Sequence, residues 1–252
     1  MVAPMCVLSY ELNPFGGAVI DPVSLPDNPG VFTRTLDAVI KELNSRNIKV
    51  VWLTLPLPLA SLVPVAAQRG FVYHHAEPEY LHMTLTLIPG SIIPPYATHY
   101  IGAGGVVLDG DNRLLVVSER YHLRSKRHYK LPGGALEQGE HIAEAVVREV
   151  LEETGIRTEF LYTACFRHWH GYRYDKSDIY FVCRLKALSF EIIPDSREIF
   201  ECLWMPVEEF LNSPDTHAFN RRIVRAAMTG KGLFREEIEG YGTSETHEMM
   251  FC

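Results

Sequence analysis

The sequence lacks several features that mark specialised classes of protein. Its 252 residues include five cysteines and no Cys-x-x-Cys pair, so we expect neither a zinc site nor a disulfide framework. No run of 18 apolar residues occurs, which predicts no membrane-spanning helix. The N-terminus has no positively charged segment followed by a long apolar one, as a secretory signal would. We therefore expect reduced thiols and a cytoplasmic location.

Positive charge is also scarce. Lys and Arg number 24 against 31 Asp and Glu, which gives a net charge of −7. This balance argues against a general nucleic-acid surface. An anionic small molecule is compatible with it if a metal ion or local Arg and Lys side chains bind the anion. The glycines at 102, 104 and 105 lack the third glycine of a dinucleotide-binding loop and lead into a strand, so we reject that interpretation.

The apolar content, 47%, is enough for two small domains or one large one. Strand and helix patterns alternate through the first part of the chain, with an amphipathic helix over 31–46 and a buried strand over 49–55. Proline and glycine residues over 89–95 then predict a stiff linker. We therefore expect one α/β domain over 1–96 and a second over 97–252, with a poorly ordered tail from about residue 231.

The most informative stretch is 134–156, GALEQGEHIAEAVVREVLEETGI. A Pro-Gly-Gly sequence at 132–134 breaks any regular element and lets the backbone approach a ligand closely. Apolar residues then recur with the period of a helix, and Gly155 is placed where a helix ends. Within the last turns, Glu149, Glu152 and Glu153 have i, i+3 and i+4 spacing, so three carboxylates share one face.

An acidic helix face is most often a solvated surface, and a helical wheel separates the two interpretations. At about 100° per residue, Glu144 and Arg148 fall opposite the apolar arc, as solvated residues should. Glu149 and Glu153 fall inside the arc instead. Because burying unpaired charge is costly, this placement predicts a counter-ion. Clustered carboxylates are typical ligands of a hard divalent cation.

Written as a template, the stretch reads G-x5-E-x7-R-E-U-x-E-E-x-G-U, where U is aliphatic, and every fixed position is filled. It resembles the signature of the Nudix hydrolases. The segments at 15–17, 51–53, 70–71, 74–77, 85–87 and 96–97 extend the likeness to one branch of that family. This branch includes the protein encoded antisense to basic fibroblast growth factor and its plant relatives, which carry a pre-Nudix domain before the catalytic one.

The resemblance implies a fold for each domain. The Nudix fold is α/β, a mixed sheet between helices in an α/β/α sandwich. The preceding pre-Nudix domain is small and α/β, and is similar to the later half of an acetyltransferase fold. Because its glycine-rich acetyl-CoA loop is missing, we expect no acetyl transfer. The resemblance favours a role for this domain in forming a homodimer or in shaping the substrate site.

Carried over residue by residue, the resemblance also assigns the site. It implies that Glu149, Glu152 and Glu153 bind Mg²⁺, with Mn²⁺ as an alternative, and that the Gly133 carbonyl lies beside them. Arg148 resembles the arginine that pairs with the glutamates of the motif and orients them. Its positive charge would keep neighbouring carboxylates ionised.

The catalytic base is left open between Glu152, Glu153 and a further glutamate near the last core strand. Glu198 stands six residues before Trp204 and is the leading candidate for that further glutamate, with Glu201 as the second. For both, a place in a solvated loop is the alternative.

The family reaction is hydrolysis of a nucleoside diphosphate linked to another moiety. Plant relatives of this branch act on ADP-ribose and NADH, which gives our leading prediction. Hydrolysis of diadenosine polyphosphates or nucleoside triphosphates is the first alternative. A catalytically weak Nudix protein that binds or regulates is the second, and it is disfavoured because no glutamate of the template is missing.

Two groups of residues are candidates for substrate contact. Basic side chains before the glycine turn would bind phosphate, with a solvated loop as the alternative: Arg120, Arg124, Lys126, Arg127 and Lys130. Tyr172 and Tyr174 lie in an aromatic loop and would stack on a base, with simple packing as the alternative.

Overall fold

The computed structural model describes residues 8–120, 128–243 and 245–252. The chain divides into two compact units, Met1–Ala97 and Thr98–Cys252. Among the described residues, no helix combines the length and the apolar character needed to cross a membrane.

The N-terminal unit contains a five-stranded sheet with the order β1-β2-β3-β5-β4. Its strands are β1 (Tyr10–Leu12), β2 (Gly17–Ile20), β3 (Val50–Pro56), β4 (Val72–Glu77) and β5 (Tyr80–Thr86). Its helices are α1 (Pro29–Ser45) and α2 (Val63–Gln68). The β2–β3 pair is parallel and the other pairs are antiparallel.

Helix α1 forms because its sequence supplies both a start signal and an apolar stripe. The Asn28 side chain accepts hydrogen bonds from the backbone N–H groups of Gly30 and Val31, which have no partner within the helix. One side of the helix then buries Phe32 and Leu36 in the same apolar cluster as the inward residues of β3. The helix predicted over 31–46 is therefore confirmed.

The C-terminal unit contains a six-stranded mixed sheet with the order β11-β7-β6-β10-β9, in which β8 also pairs with β6. Its strands are β6 (His99–Leu108), β7 (Arg113–Glu119), β8 (Gly133–Ala135), β9 (Thr158–Trp169), β10 (Ser177–Ala187) and β11 (Ile199–Pro206). Its helices are α3 (Ile142–Thr154), α4 (Val207–Asn212) and α5 (Ala218–Ala227). The β6–β10 pair is parallel, whereas the other pairs are antiparallel.

Successive residues of the central strands pack on opposite faces of this sheet, as strand geometry requires. Val106 belongs to an apolar cluster that includes Phe210 of α4 and Val224 of α5. Val107 belongs to a second cluster that includes Val146 of α3. The sheet therefore lies between α3 on one side and α4 and α5 on the other, which is the predicted α/β/α sandwich with a mixed sheet.

A glycine allows a partly buried tyrosine to pack closely against the central strand. Tyr180 of β10 packs over Gly104 of β6, where a Cβ atom would overlap the tyrosine hydroxyl. Gly102, on the same face of β6, is a close neighbour of the same ring. Burial raises the pKa of the Tyr180 hydroxyl because it disfavours the phenolate.

The tail from about residue 231, for which the sequence predicts poor order, contains two short strands. Strands β12 (Phe234–Glu236) and β13 (Met249–Phe251) pair antiparallel. Leu233 and Thr163 exchange two backbone hydrogen bonds of 2.9 Å, which join the tail to β9. The tail is polar and its strands are three residues long, so its order depends on contacts with the rest of the unit, which local patterns do not predict.

Candidate active site

The site is built on the glycine turn that precedes α3. Strand β8 pairs with β6, so that Gly133 lies opposite Gly104 and Gly134 lies opposite Ala103. A Cβ atom at residue 134 would lie 2.6 Å from the carboxylate atoms of Glu149, which is closer than side-chain contacts allow. Only glycine therefore leaves room for Glu149 to lie against the turn.

Helix α3 carries the three predicted metal ligands, whose side chains differ in how far they are exposed. Glu153 is 7% exposed, and the side chains of Glu149 and Glu152 are 17% and 58% exposed. The wheel therefore places Glu149 and Glu153 correctly on the packing side. Gly155, in the left-handed conformation at φ 74°, ends the helix where the sequence predicts.

Arg148 connects the carboxylates of the motif. Its guanidinium makes a two-point contact with Glu140, with Nε–Oε1 at 2.7 Å and Nη2–Oε2 at 2.8 Å. Its Nη1 atom lies 3.0 Å from Glu149 Oε1 and 3.0 Å from Glu152 Oε2. It also donates to the Ala135 carbonyl. Arg148 is therefore not the freely solvated residue that its place on the wheel suggests, and it forms the pairing that the family resemblance implies.

Two carboxylates that contact Arg148 have pKa values shifted in opposite directions. The hydrogen bonds from Arg148 hold the pKa of Glu140 below its usual range. Burial raises the pKa of Glu149, although Arg148 opposes this effect. Glu140 fills a fixed position of the template but has no role in the sequence analysis, and it is the main anchor of the arginine.

Glu153 has a different set of partners. Its Oε2 accepts a 2.8 Å hydrogen bond from the Gly133 N–H, and its Oε1 lies 3.8 Å from Lys130 Nζ. Lys130 in turn lies 2.5 Å from Glu119 Oε1. Burial raises the pKa of Glu153 to about 7, while Lys130 and the Gly133 N–H lower it. The site thus concentrates more negative charge than its own cations fully offset.

The donor set fits a hard divalent cation by its chemistry. Three carboxylates from one helix and the adjacent backbone supply only oxygen ligands, which such ions prefer. Among the described residues, however, no three carboxylate, histidine or cysteine side chains converge on one point as ligands would. Glu149 and Glu152 contact Arg148, and Glu153 contacts Gly133 and Lys130. Binding of an ion would require glutamate side chains to leave these partners by rotation about their χ angles.

The two candidates for a further glutamate lie on and before β11. Glu198 is exposed in the turn before the strand, and its carbonyl accepts a hydrogen bond from the Arg120 N–H. The neighbouring Asp195 N–H donates to the Glu153 carbonyl, so this turn adjoins the end of α3. Glu201 Oε2 accepts from the Tyr129 hydroxyl at 2.6 Å. The structure brings the segment to the site but shows no contact between either carboxylate and the glutamates of α3 among the described residues.

The predicted substrate residues are dispersed. Arg120 Nε donates to the Ser196 carbonyl at 2.6 Å, so its guanidinium supports the turn before β11. Tyr172 contacts Tyr100 and Trp169 in a small aromatic cluster. Tyr174 is 87% exposed. Arg127, like Arg124 and Lys126, lies outside the described residues. Lys130, named only as part of the basic group, is the member that contacts a glutamate of α3.

A cavity of about 620 Å³ adjoins the glutamates of α3 through the Glu119–Lys130 pair. Beyond that pair its lining is more apolar than polar and includes the side chains of His128, Thr216 and Asn220. Sequence reasoning missed these residues because they come from separate segments. A larger cavity of about 800 Å³ is lined by His141, Glu144 and residues of the tail. We place the chemistry at the smaller one, because Lys130 of its lining lies 3.8 Å from Glu153 Oε1.

An α/β/α sandwich whose helix presents clustered carboxylates beside a glycine turn is the architecture expected of a Nudix domain. Residues 98–227 match the family model described as NUDIX domain. Residues 8–87 match a second model, described as Nudix hydrolase domain.

Similar proteins agree with these matches. Nudix hydrolase 8 of Arabidopsis thaliana is 41% identical over 203 residues, which cover 79% of this chain and 55% of that protein. Nudix hydrolase 5 of the same plant is 40% identical over 212 residues, covering 82% and 70%. The human protein named nucleoside diphosphate-linked moiety X motif 6 is 36% identical over 234 residues, covering 89% and 73%. The chain thus spans about half the length of Nudix hydrolase 8 and about 70% of Nudix hydrolase 5.

The chain belongs to the Nudix hydrolase family. Members of this family generally use divalent metal ions. The predicted fold class and the predicted family, including a branch with an N-terminal domain, are confirmed.

Proposed function

We propose that this protein hydrolyses the pyrophosphate bond of a nucleoside diphosphate linked to another moiety. Glu149, Glu152 and Glu153 would bind Mg²⁺ or Mn²⁺, with the Gly133 carbonyl as a further ligand. The observation that carries the proposal is the carboxylate face of α3, held against the glycine turn. The packing of α3 does not require carboxylates on this face, and burying them costs stability. Carboxylates in such a position are typical of functional sites.

A pyrophosphate repels an attacking water molecule by its negative charge, and a bound divalent ion neutralises that charge and lowers the pKa of the water. The residues of this chain set the geometry. Arg148 gathers Glu149 and Glu152, and the Gly133 N–H holds one oxygen of Glu153. These contacts keep the three carboxylates close together, so that each would reach an ion by rotation of its side chain. Lys130 lies between Glu153 and the cavity, where it can contact a phosphate oxygen. A carboxylate of the same cluster accepts the proton of the water.

The cavity beside Lys130 offers both apolar surface and hydrogen-bonding side chains to a group attached to the phosphates of a substrate. Its volume of about 620 Å³ lies in the range of small-molecule sites. Thr216 and Asn220 supply hydroxyl and amide groups that can both donate and accept hydrogen bonds. We assign this cavity to the nucleoside part of the substrate, and ADP-ribose or NADH is our leading candidate.

A substrate panel tests the reaction. Full-length protein would be incubated with Mg²⁺ or Mn²⁺ and with ADP-ribose, NADH, diadenosine polyphosphates and ATP, and the released mononucleotide would be identified. The double substitution Glu152→Gln and Glu153→Gln removes two ligand charges, so we expect kcat/KM to fall on the order of 10³-fold. Glu144→Gln, an exposed position of the same helix, is the matched control. Turnover by the double variant at the wild-type rate would overturn the proposal.

A homodimer and a cytoplasmic location stay predictions from the sequence. Light scattering of the full chain would check the first, and a monomer at micromolar concentration would contradict it.

A further inference from the structure

Among the described residues, the N-terminus of α3 receives no side-chain cap from the residue that precedes it. The first N–H groups of a helix lack partners within it, and a side chain just before the helix commonly accepts from them. His141 occupies that position and makes no such hydrogen bond. The helix that carries the glutamates of the site therefore depends on another part of the chain for this end.

The partner comes from the tail, more than 100 residues away. Glu248 Oε2 lies 2.8 Å from the Ile142 nitrogen, and Glu248 Oε1 lies 3.1 Å from the Ala143 nitrogen. One carboxylate thus satisfies two N–H groups. Its negative charge also faces the positive end of the helix dipole, an arrangement that stabilises a helix.

Independent contacts hold the tail in place beside this helix end. Before Glu248, Leu233 exchanges its two backbone hydrogen bonds with Thr163, and the ring of Phe234 contacts that of Tyr162. After Glu248, Met250 Sδ accepts from the Thr163 hydroxyl at 3.1 Å. Glu248 therefore belongs to a segment anchored on both sides, so its contact with α3 is not that of a free chain end.

We propose that Glu248 is a positioning residue for metal binding, acting through α3. The inference rests on the proposed function, because it concerns the same glutamates. Ile142 precedes Glu149 by seven residues, about 10 Å along the helix. A shift or fraying of the first turn would thus move Glu149 relative to the glycine turn that it packs against. The tail lies beyond residue 227, where the match to the NUDIX domain ends.

The test compares Glu248→Ala and Glu248→Gln in the full chain with Glu239→Gln. Glu239 is an exposed carboxylate of the same tail and serves as the matched control. Calorimetry with Mn²⁺ measures the dissociation constant without substrate. Amide hydrogen exchange reports whether Ile142 and Ala143 lose protection.

We expect Glu248→Ala to weaken Mn²⁺ binding about tenfold and Glu248→Gln, which keeps one acceptor but no charge, about threefold. The control should bind Mn²⁺ as the unmodified protein does. Saturating Mn²⁺ should restore most of the turnover of both Glu248 variants, which a general loss of folded protein would not allow.

Equal Mn²⁺ dissociation constants for Glu248→Ala, Glu248→Gln and the control would overturn the inference, even if melting temperatures fell. If Glu248→Ala does not fold, the Mn²⁺ dissociation constant of Glu248→Gln and the amide exchange of its Ile142 and Ala143 test the inference instead. If the unmodified protein binds Mn²⁺ but hydrolyses nothing in the panel, the proposed function fails while the Mn²⁺ ranking still tests the positioning role.

Discussion

The two units of this chain differ in the polar groups that they bring together. In the N-terminal unit, His74, His75 and His82 contact one another, and Thr54 Oγ1 lies 2.7 Å from His82 Nδ1. In the C-terminal unit the corresponding feature is charged, a set of glutamates around one arginine and one lysine. The first cluster forms hydrogen bonds among its own rings and with Thr54, whereas the second combines carboxylates with an arginine and a lysine.

The pKa values express this difference. Burial lowers the pKa of His82 to about 4, so the neutral ring is the stable form at neutral pH. Burial raises the pKa of Glu153 to about 7, yet Lys130 and the Gly133 N–H favour its charged form. A protein that only packs a core would avoid the second arrangement. The comparison therefore assigns the chemistry to the C-terminal unit, and three further substitutions test it.

The largest effect is expected from Gly134→Ala. The added methyl group would displace the carboxylate of Glu149 from its place against the turn. Because misplacement of a reacting group by about 1 Å can cost about 10²-fold in rate, we expect a loss of that size in kcat on the best substrate of the panel.

Gly110→Ala is the control for this substitution, because no atom lies within 4 Å of a Cβ at that turn position. If Gly134→Ala turned over substrate as fast as Gly110→Ala, the steric account of Glu149 would be wrong.

A smaller effect is expected from Asn220→Ala, which removes an amide from the cavity wall beyond Lys130. Loss of one hydrogen bond to an uncharged group costs about 1 kcal/mol, so KM should rise about fivefold with little change in kcat. Asn212→Ala, at an exposed position of α4, is the control. An unchanged KM for every substrate in the panel would show that the nucleoside binds elsewhere.

The smallest effect is expected in the N-terminal unit, from His82→Asn. The folded unit favours neutral His82, whereas the unfolded chain takes up a proton near pH 6.5. Between pH 6.5 and about 4 the unfolded state therefore binds more protons, and stability falls as the pH drops through that window. His74 and His75, which face His82, also lower the pKa of His82.

Urea unfolding of the protein and of His82→Asn between pH 7 and pH 4.5 measures this effect. We expect the two stabilities to converge as the pH falls, since only the unmodified protein loses the contribution of His82. A constant difference across the range would contradict the neutral state assigned to this ring. Hydrolysis by His82→Asn at pH 7.5 should stay at the level of the unmodified protein.

Local sequence patterns predict the parts of the site that lie within one element. The 3.6-residue period locates α3, and the same period places Glu149 and Glu153 on its packing side. Glu140 and Arg148 are eight residues apart and fall within one template. The position of α3 and the side on which its glutamates lie follow from helix geometry, whereas Glu140 precedes the helix and its pairing with Arg148 does not.

Relations between separate segments could not be predicted in this way. Lys130, just before β8, approaches Glu153 because β8 and α3 pack together. The cavity combines residues from 119–130 with residues from 214–220. The contact of Glu248 with α3 joins positions 106 residues apart. The strands of the tail are only three residues long and give no periodic signal, so the sequence predicted poor order there.

The close packing of Tyr180 on Gly104 has an evolutionary consequence. The tyrosine hydroxyl occupies the volume that any other side chain at residue 104 would need. Alanine at residue 104 would displace the tyrosine ring. A smaller residue at position 180 would instead leave a cavity. Substitution of either position alone is therefore unfavourable. Among relatives that keep this sheet, the two positions should vary as a pair, with larger residues at 104 only where the ring at 180 has been lost.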